Sequence, residues 1–231
     1  MKSEFFRKYK VEIFIFSLAL LVRGVLFIVN LYTNGWALDP TIHGQDAYYE
    51  VGKSLAEGGG FSAWLGLPTP FHVPIYPLFL SIFLIIFGSY LPAAIVQILI
   101  SSVIPILGRK ISLKILPSTK IAFWVGIALS LDPYLVLFSY VFYSETLFIF
   151  IFLCFVLSII RYIEDKKLKT LSISALLLGI SVLTKTVLQF LPIFLVPFLW
   201  WSLRKEFTIK KLTYHFVIFI FIFLVILSPW F

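Results

Sequence analysis

The sequence predicts an all-α protein, a polytopic transmembrane bundle of about seven or eight spans with a short surface helix in the first external loop. Hydrophobic residues make up 61% of the chain and charged residues only 13%, with a mean hydropathy of +1.03. Apolar runs recur from Val11 to the C-terminus, and short basic clusters separate them. We therefore expect residues 1–231 to form a single membrane domain, because soluble globular domains have far fewer apolar residues.

The first apolar run begins at Val11, after an N-terminal segment that carries Lys2, Arg7, Lys8 and Lys10. It is about 20 residues long and has no small-residue cleavage site, so we interpret it as a retained span and not as a signal peptide. The basic residues then place the N-terminus in the cytoplasm.

Arg23 lies near the middle of this first span. A charge at the centre of a span costs about 2.5–3.5 kcal/mol on insertion scales. Arg23 is therefore expected to face the bundle or a polar cavity.

A polar tract at residues 33–72 is the predicted first external loop. Within it, residues 46–57 have apolar or aromatic side chains close to helical spacing, and Gly58, Gly59 and Gly60 follow where a helix would end. This pattern predicts a short helix lying on the membrane surface. Asp46 at its start is either an N-cap or a residue with a chemical role, and the two do not exclude each other.

The remaining apolar runs cover residues 73–107, 121–131, 134–160, 171–203 and 212–227. If every basic cluster between them is cytoplasmic, the run 73–107 crosses an odd number of times, and the stretches 121–160 and 171–203 each form a pair of crossings. The total is about seven crossings, and the polar breaks at 132–145 and 185–192 then lie on the external face.

This topology brings polar groups from distant parts of the chain to one side. We predict that Asp46, His72, Glu145 and Lys185 converge on one external cavity, with Tyr49, Glu50, Tyr76 and Arg23 as further substrate-binding residues. For Glu145 and Lys185 the alternative is a structural ion pair. For His72 it is an interfacial residue without a role.

Several kinds of site lack their residues. The sequence has no GxxxxGK[ST], HExxH, CxxC or GxSxG motif, which argues against nucleotide hydrolysis, zinc proteolysis and serine acyl transfer. With no D-x-D motif and with Cys154 as the one cysteine, we expect no metal, no cofactor and no internal disulfide. The net charge of +8 comes from clusters beside apolar runs, so we expect no nucleic-acid partner.

Several short motifs follow the first span in a fixed order. They are GQDAYYEVGKSLAEGGGFS, HVPIYPLFL, YSETLF, GISVLTKT and SPW. In this order the chain resembles, over nearly its whole length, the bacterial members of the polytopic glycosyltransferase superfamily related to protein O-mannosyltransferases and to the lipid A aminoarabinose transferase.

The resemblance implies a multi-pass enzyme of the inner (plasma) membrane that takes a sugar from a polyprenyl-phosphate carrier. The sugar goes, with inversion, to a glycan, lipid or protein acceptor on the external face. In that family the first external loop carries the acidic catalytic residue, which by its position in QDAYY is Asp46. Lys185 and Arg23 are the candidates for the cation that meets the carrier phosphate. Many relatives have an Asp-Glu pair where this chain has Gln45-Asp46.

Relatives continue beyond the SPW motif, so we expect the chain to be an N-terminal part or a short version that needs a partner. The alternatives to an enzyme are a lipid or glycolipid transporter and a non-catalytic membrane subunit. A transporter would carry broken helices in repeated positions, and the sequence shows no internal repeat.

Overall fold

The computed structural model describes residues 2–33, 47–62 and 72–230, and its regular elements in these ranges are helices. This confirms the predicted all-α class for the described residues. In chain order they are α1 Lys2–Thr33, α2 Tyr48–Ala56, α3 Ile75–Phe87, α4 Leu91–Ile115, α5 Thr119–Leu131, α6 Pro133–Leu137, α7 Glu145–Asp165, α8 Leu168–Thr184, α9 Leu191–Leu203 and α10 Ile209–Leu227. A 3₁₀ turn, Thr186–Leu188, lies between α8 and α9.

Among the described helices, four are long and apolar enough to cross a membrane. They are the Tyr9–Thr33 part of α1, together with α4, α7 and α10. Helices α3, α5, α8 and α9 are apolar but have only 13 to 17 residues. A helix of 13 residues is about 20 Å long, against about 30 Å of hydrocarbon. The predicted count of seven crossings stays a prediction.

Glycine and proline end several helices where the sequence places them. Helix α2 ends at Ala56 and is followed by Gly58 and Gly60 at φ +80° and +73°, which only glycine adopts without strain. A helix therefore lies within the predicted range 46–57. Its position at the membrane surface stays a prediction.

The apolar run 73–107 divides into α3 and α4 at Gly88, whose φ is +64°. Asp132 ends α5 and begins α6, because its Oδ1 accepts a hydrogen bond of 2.8 Å from the Leu135 amide and Pro133 follows as the first helical residue.

The chain forms two compact units. The first comprises Met1–His72 and Tyr76–Phe150, and the second Val73–Ile75 and Ile151–Phe231. In the first, α1 packs against α4 and α5, and a cluster that includes Phe27, Leu80 and Ile98 is buried. The single-domain organisation stays a prediction.

The second unit has a core of its own between α7, α8, α9 and α10. Leu171, Leu178 and Phe219 are enclosed there. Gly179 lets α10 approach α8 closely, because a Cβ at this position would lie 2.6 Å from the Ile226 side chain. Close helix packing thus explains why a glycine stands inside this apolar helix.

Candidate functional site

Helix α2 carries the aromatic pair of the candidate site and is fixed by contact with α3. Val51 is fully buried, and Gly52 lies against Leu80 and the Pro77 carbonyl. A Cβ at position 52 would be 3.0 Å from the Leu80 Cβ, so only glycine fits here without a shift. This close approach sets the direction in which Tyr48 and Tyr49, one turn earlier, leave the helix.

Tyr48 packs edge-on against two rings of the neighbouring segment. Its ring centroid is 4.9 Å from that of His72 and 5.1 Å from that of Tyr76, with interplanar angles of 79° and 82°. These are favourable edge-to-face geometries for aromatic pairs. The start of α2 and the start of α3 are therefore joined through three rings.

Tyr76 connects this aromatic group to α4 and to the break before α7. Its fully buried hydroxyl donates a 2.7 Å hydrogen bond to Gln97 Oε1. Gln97 Nε2 in turn donates to the carbonyls of Phe138 and Val141, at 2.9 and 2.6 Å. The amide of Gln97 thus fixes the irregular segment between α6 and α7, whose backbone would otherwise lack partners in an apolar surrounding.

Glu145 begins α7 at the end of this segment. Thr146 anchors the helix start with a 2.7 Å hydrogen bond from its hydroxyl to the Phe138 carbonyl. The Glu145 carboxylate is close enough to interact electrostatically with Tyr76, as is Tyr48. Of the predicted site residues, the structure thus places His72 and Tyr76 against Tyr48, and Glu145 within electrostatic reach of Tyr76, in the first unit.

Tyr49 and Glu50 lie on another side of α2, next to Tyr90. The rings of Tyr49 and Tyr90 are 4.5 Å apart, and the Tyr90 hydroxyl donates to the Tyr49 carbonyl at 3.2 Å. Burial raises the pKa of Tyr90, and Tyr49 and Glu50 raise it further, so the hydroxyl remains a donor. Among the described residues, Glu50 Oε2 is buried without a hydrogen-bond partner.

Two adjoining clefts open beside this ring pair, with volumes of about 410 and 430 Å³. Both are lined by Tyr49, Leu84, Gly88 and Tyr90. Lys53 and Glu57 line the first as well. Aromatic faces beside charged groups are suited to a sugar, whose rings have apolar faces and polar edges.

Arg23 is fully buried between α1, α4 and α5. Its Nε donates to Ser101 Oγ at 2.7 Å, and its two terminal nitrogens donate to the carbonyls of Ala19, Leu129 and Ser130 at 3.1, 3.4 and 3.0 Å. Four of the five guanidinium N–H groups are thus directed at protein acceptors. Its predicted contact with a carrier phosphate stays a prediction, while its geometry gives it a structural role.

The last two predicted residues lie elsewhere. Lys185 is half-buried in the second unit, where its extended backbone (φ −157°, ψ 121°) ends α8. Asp46 lies outside the described residues, immediately before Ala47, which is buried with φ +53°. Within the described ranges, no three His, Cys, Asp or Glu side chains are grouped closely enough to hold a metal ion.

Sequence reasoning did not single out Gln97 and Tyr90. The signal for Gln97 was present, because it is a polar residue inside the apolar run that forms α4. Tyr90 had a weaker signal, since a tyrosine between two membrane segments is common at interfaces.

Residues 70–231 match the family model described as dolichyl-phosphate-mannose-protein mannosyltransferase. The matched range covers well over half of the chain and includes His72, Tyr76, Glu145 and Lys185, whereas Asp46 precedes it. No curated protein and no solved structure matches the chain.

Proposed function

Because the chain belongs to the dolichyl-phosphate-mannose-protein mannosyltransferase family of membrane glycosyltransferases, we propose that it transfers a sugar from a polyprenyl-phosphate carrier to an acceptor on the external face of the membrane. The observation that carries this proposal beyond the family is the packing of α2 against the start of α3. It brings Tyr48, which follows the predicted base by two residues in the sequence, against His72 and Tyr76, and Tyr76 interacts electrostatically with Glu145.

In the proposed reaction an acceptor hydroxyl attacks the anomeric carbon of the sugar. A new carbon–oxygen bond forms on one face while the bond to the carrier phosphate breaks on the other, so the configuration inverts. The hydroxyl proton passes to a carboxylate, and the polyprenyl phosphate leaves with the bonding electron pair. A general base of this kind contributes about 10²–10⁴-fold to the rate.

We assign the base to Asp46. It stands two residues before Tyr48, whose ring packs against His72 and Tyr76. The buried hydroxyl of Tyr76 and the carboxylate of Glu145 are polar groups near this ring cluster within the first unit, which supports the assignment.

The clefts beside Tyr49 and Tyr90 are the proposed place of the acceptor. A sugar ring can stack on an aromatic face there, and Lys53 and Glu57, which line the first cleft, can form hydrogen bonds with hydroxyls of the acceptor. Lys185 is proposed to stabilise the charge that develops on the carrier phosphate. A lysine ammonium is a compact point charge suited to this contact.

The test is turnover of a labelled polyprenyl-phosphate sugar by the protein in liposomes. Asp46→Asn keeps the size of the side chain and removes the base, so we expect transfer to fall by about 10²–10⁴-fold. Asp39→Asn, in the same predicted loop, is the matched control and should keep the activity of the unmodified protein. Lys185→Gln should lower turnover as well.

Near-normal transfer by the Asp46→Asn protein would overturn the assignment of the base, as would an equal loss in the Asp39→Asn control. Binding of the donor without any turnover by the unmodified protein would favour the alternative of a transporter or a non-catalytic subunit. Membrane insertion of each variant, measured by its amount in washed membranes, separates loss of chemistry from loss of protein.

A further inference from the structure

A cavity of about 540 Å³ lies between α7 and α8 in the second unit, and its lining includes none of the residues assigned above to the transfer reaction. From α7 it is lined by Cys154, Leu157, Ser158 and Arg161. Their spacing of three, four and seven residues puts them on one face of the helix. Polarity along this face rises from a thiol and an alkyl group through a hydroxyl to a guanidinium at the end of the helix.

Helix α8 lines the other wall with the same gradation. Lys169 and Thr170 lie at its first turn, and Ile173 and Leu177 follow on the same face. Each wall covers about seven residues, or about 10 Å of helix. The cavity is therefore polar and basic at the α7–α8 turn and apolar along the helices. Helix α7 is itself long and apolar enough to cross a membrane.

The polar end of the cavity carries more positive charge than its one carboxylate can neutralise. Arg161, Lys167 and Lys169 line this end, and Asp165 is the carboxylate among the lining residues. Asp165 accepts hydrogen bonds from the Lys167 amide at 3.0 Å and from the Thr170 hydroxyl at 2.8 Å, so it fixes the turn. Its ion pair with Arg161 is long, at 3.8 Å, and the Arg161 side chain is 78% exposed. A net positive charge remains for a ligand.

We propose that this cavity binds an anionic phospholipid, with the phosphate at Arg161, Lys167 and Lys169 and the upper part of one acyl chain along Leu157 and Ile173. Basic pockets between membrane helices are known to hold acidic lipid head groups, and cations near a membrane surface attract anionic lipids. The apolar part of the cavity favours a phospholipid over inorganic phosphate, because inorganic phosphate would leave that part empty. Lipid binding here is independent of the proposed transfer reaction.

Cys154 is the one cysteine in the chain and lines the apolar part of the cavity, so it is a built-in reporter. The experiment measures the rate at which N-ethylmaleimide alkylates Cys154 in the detergent-purified protein, by mass spectrometry. Added phosphatidylglycerol should slow the reaction several-fold and in a saturable way. Phosphatidylcholine and inorganic phosphate at the same concentration should leave the rate unchanged.

The second part of the experiment replaces the cations at the polar end of the cavity. Each cation replaced should raise the phosphatidylglycerol concentration needed for half-protection about fivefold, and the triple variant R161Q/K167Q/K169Q about 100-fold. The matched control R204Q/K205Q/K210Q removes the same charge from the α9–α10 turn and should keep the protection. Ile173→Trp keeps every charge and fills the apolar part, so native mass spectrometry should detect phosphatidylglycerol on the unmodified protein but not on this variant.

Equal protection by phosphatidylcholine would overturn the proposal, since it would show a neutral lipid surface. Protection by inorganic phosphate alone would make the cavity a phosphate site and not a lipid site. Loss of protection in the R204Q/K205Q/K210Q control would show that net charge, and not this cavity, governs the effect. Circular dichroism and gel filtration verify that each variant is folded. Because Ile173→Trp changes no charge, lipid retained by this variant would contradict the proposal directly.

Discussion

Arg23 shows how one buried charge can be retained inside apolar helices. Helix α5 ends before Asp132-Pro133, and the carbonyl of Leu129 would ordinarily accept from the amide of residue 133. Proline has no amide hydrogen, so this carbonyl loses its helical partner. The guanidinium of Arg23 donates to Leu129 and to the neighbouring Ser130 carbonyl, and so supplies what the proline removes.

We therefore expect Arg23→Met to destabilise the protein. The change leaves buried carbonyls and the Ser101 hydroxyl with fewer partners, at about 1–3 kcal/mol for each group left unpaired. The measurement is the midpoint of thermal unfolding in detergent, which should fall clearly. Arg204→Met is the control, because Arg204 is exposed and lies over the Trp201 ring, and it should change the midpoint little.

The same variant separates the two roles considered for Arg23. If the residue only supports the fold, the Arg23→Met protein that remains folded should transfer sugar at a near-normal rate per molecule. Unchanged thermal stability together with lost transfer would instead assign Arg23 to the carrier phosphate.

At the scale of single residues, the sequence could predict where a charge has to be but not what it binds. The cost of a charge in a span was enough to expect Arg23 inside the bundle, and it is fully buried. Two of its four acceptors are the backbone carbonyls of Leu129 and Ser130, more than a hundred positions away, and carbonyls carry no sequence signal. Gln97 is a polar residue in the apolar run of α4, but its acceptors, the carbonyls of Phe138 and Val141, could likewise not be predicted from the sequence.

At the scale of elements, the docking of α2 on α3 depends on Gly52. A side chain here would meet the Leu80 Cβ at 3.0 Å and the Pro77 carbonyl at 3.4 Å. Gly52→Leu should therefore push α2 away from α3 and separate Tyr48 from His72. Gly24→Leu is the control, because a Cβ at Gly24 has nothing within 4 Å.

Trypsin provides the measurement for this helix. Lys53 is the one lysine or arginine between Arg23 and Arg109, so cleavage there gives a unique fragment. A docked helix resists the protease, and we expect Gly52→Leu to be cut after Lys53 at least about tenfold faster, because local opening governs proteolysis. Equal rates in Gly52→Leu and Gly24→Leu would mean that the glycine does not hold α2 in place.

Helix ends were predictable because glycine, proline and aspartate act locally. Gly58 and Gly60 after α2, Gly88 between α3 and α4, and Asp132 before α6 all stand where the chain changes direction. The docking of α2 was not predictable from its pattern. An apolar face with Val51 at its centre fits a membrane surface and the surface of α3 equally well, since both are apolar.

At the scale of the whole molecule, ion pairs place basic turns together within each unit. Arg109 near the end of α4 pairs with Glu12 near the start of α1, in the first unit. Lys166 after α7 pairs with Glu206 after α9, in the second unit. Within each unit, each ion pair therefore holds a basic segment next to the end or turn of another helix, on the same side of that unit. The charge pattern predicts the same grouping, because positive residues remain in the cytoplasm.

The topology is tested by single cysteines at positions 118, 140, 166 and 208 in a Cys154→Ser background, with a membrane-impermeant thiol reagent applied to intact cells. Position 140 lies in the break between α6 and α7, and the other three lie in the turns beside basic clusters. Only position 140 should react from outside. Lysed cells are the control, in which all four positions should react.

The result depends on how often the run 73–107 crosses the membrane. Helix α4 has 25 residues and is long enough for a hydrocarbon core of about 30 Å, so the predicted topology needs no separate crossing by the 13 residues of α3. In the predicted topology, one full crossing by α4 takes the chain from the external loop to the Arg109 cluster in the cytoplasm. Labelling of positions 118 and 166 from outside would require α3 to cross as well. The break before Glu145 would then face the cytoplasm, and the proposed grouping of Glu145 with Asp46 would be lost.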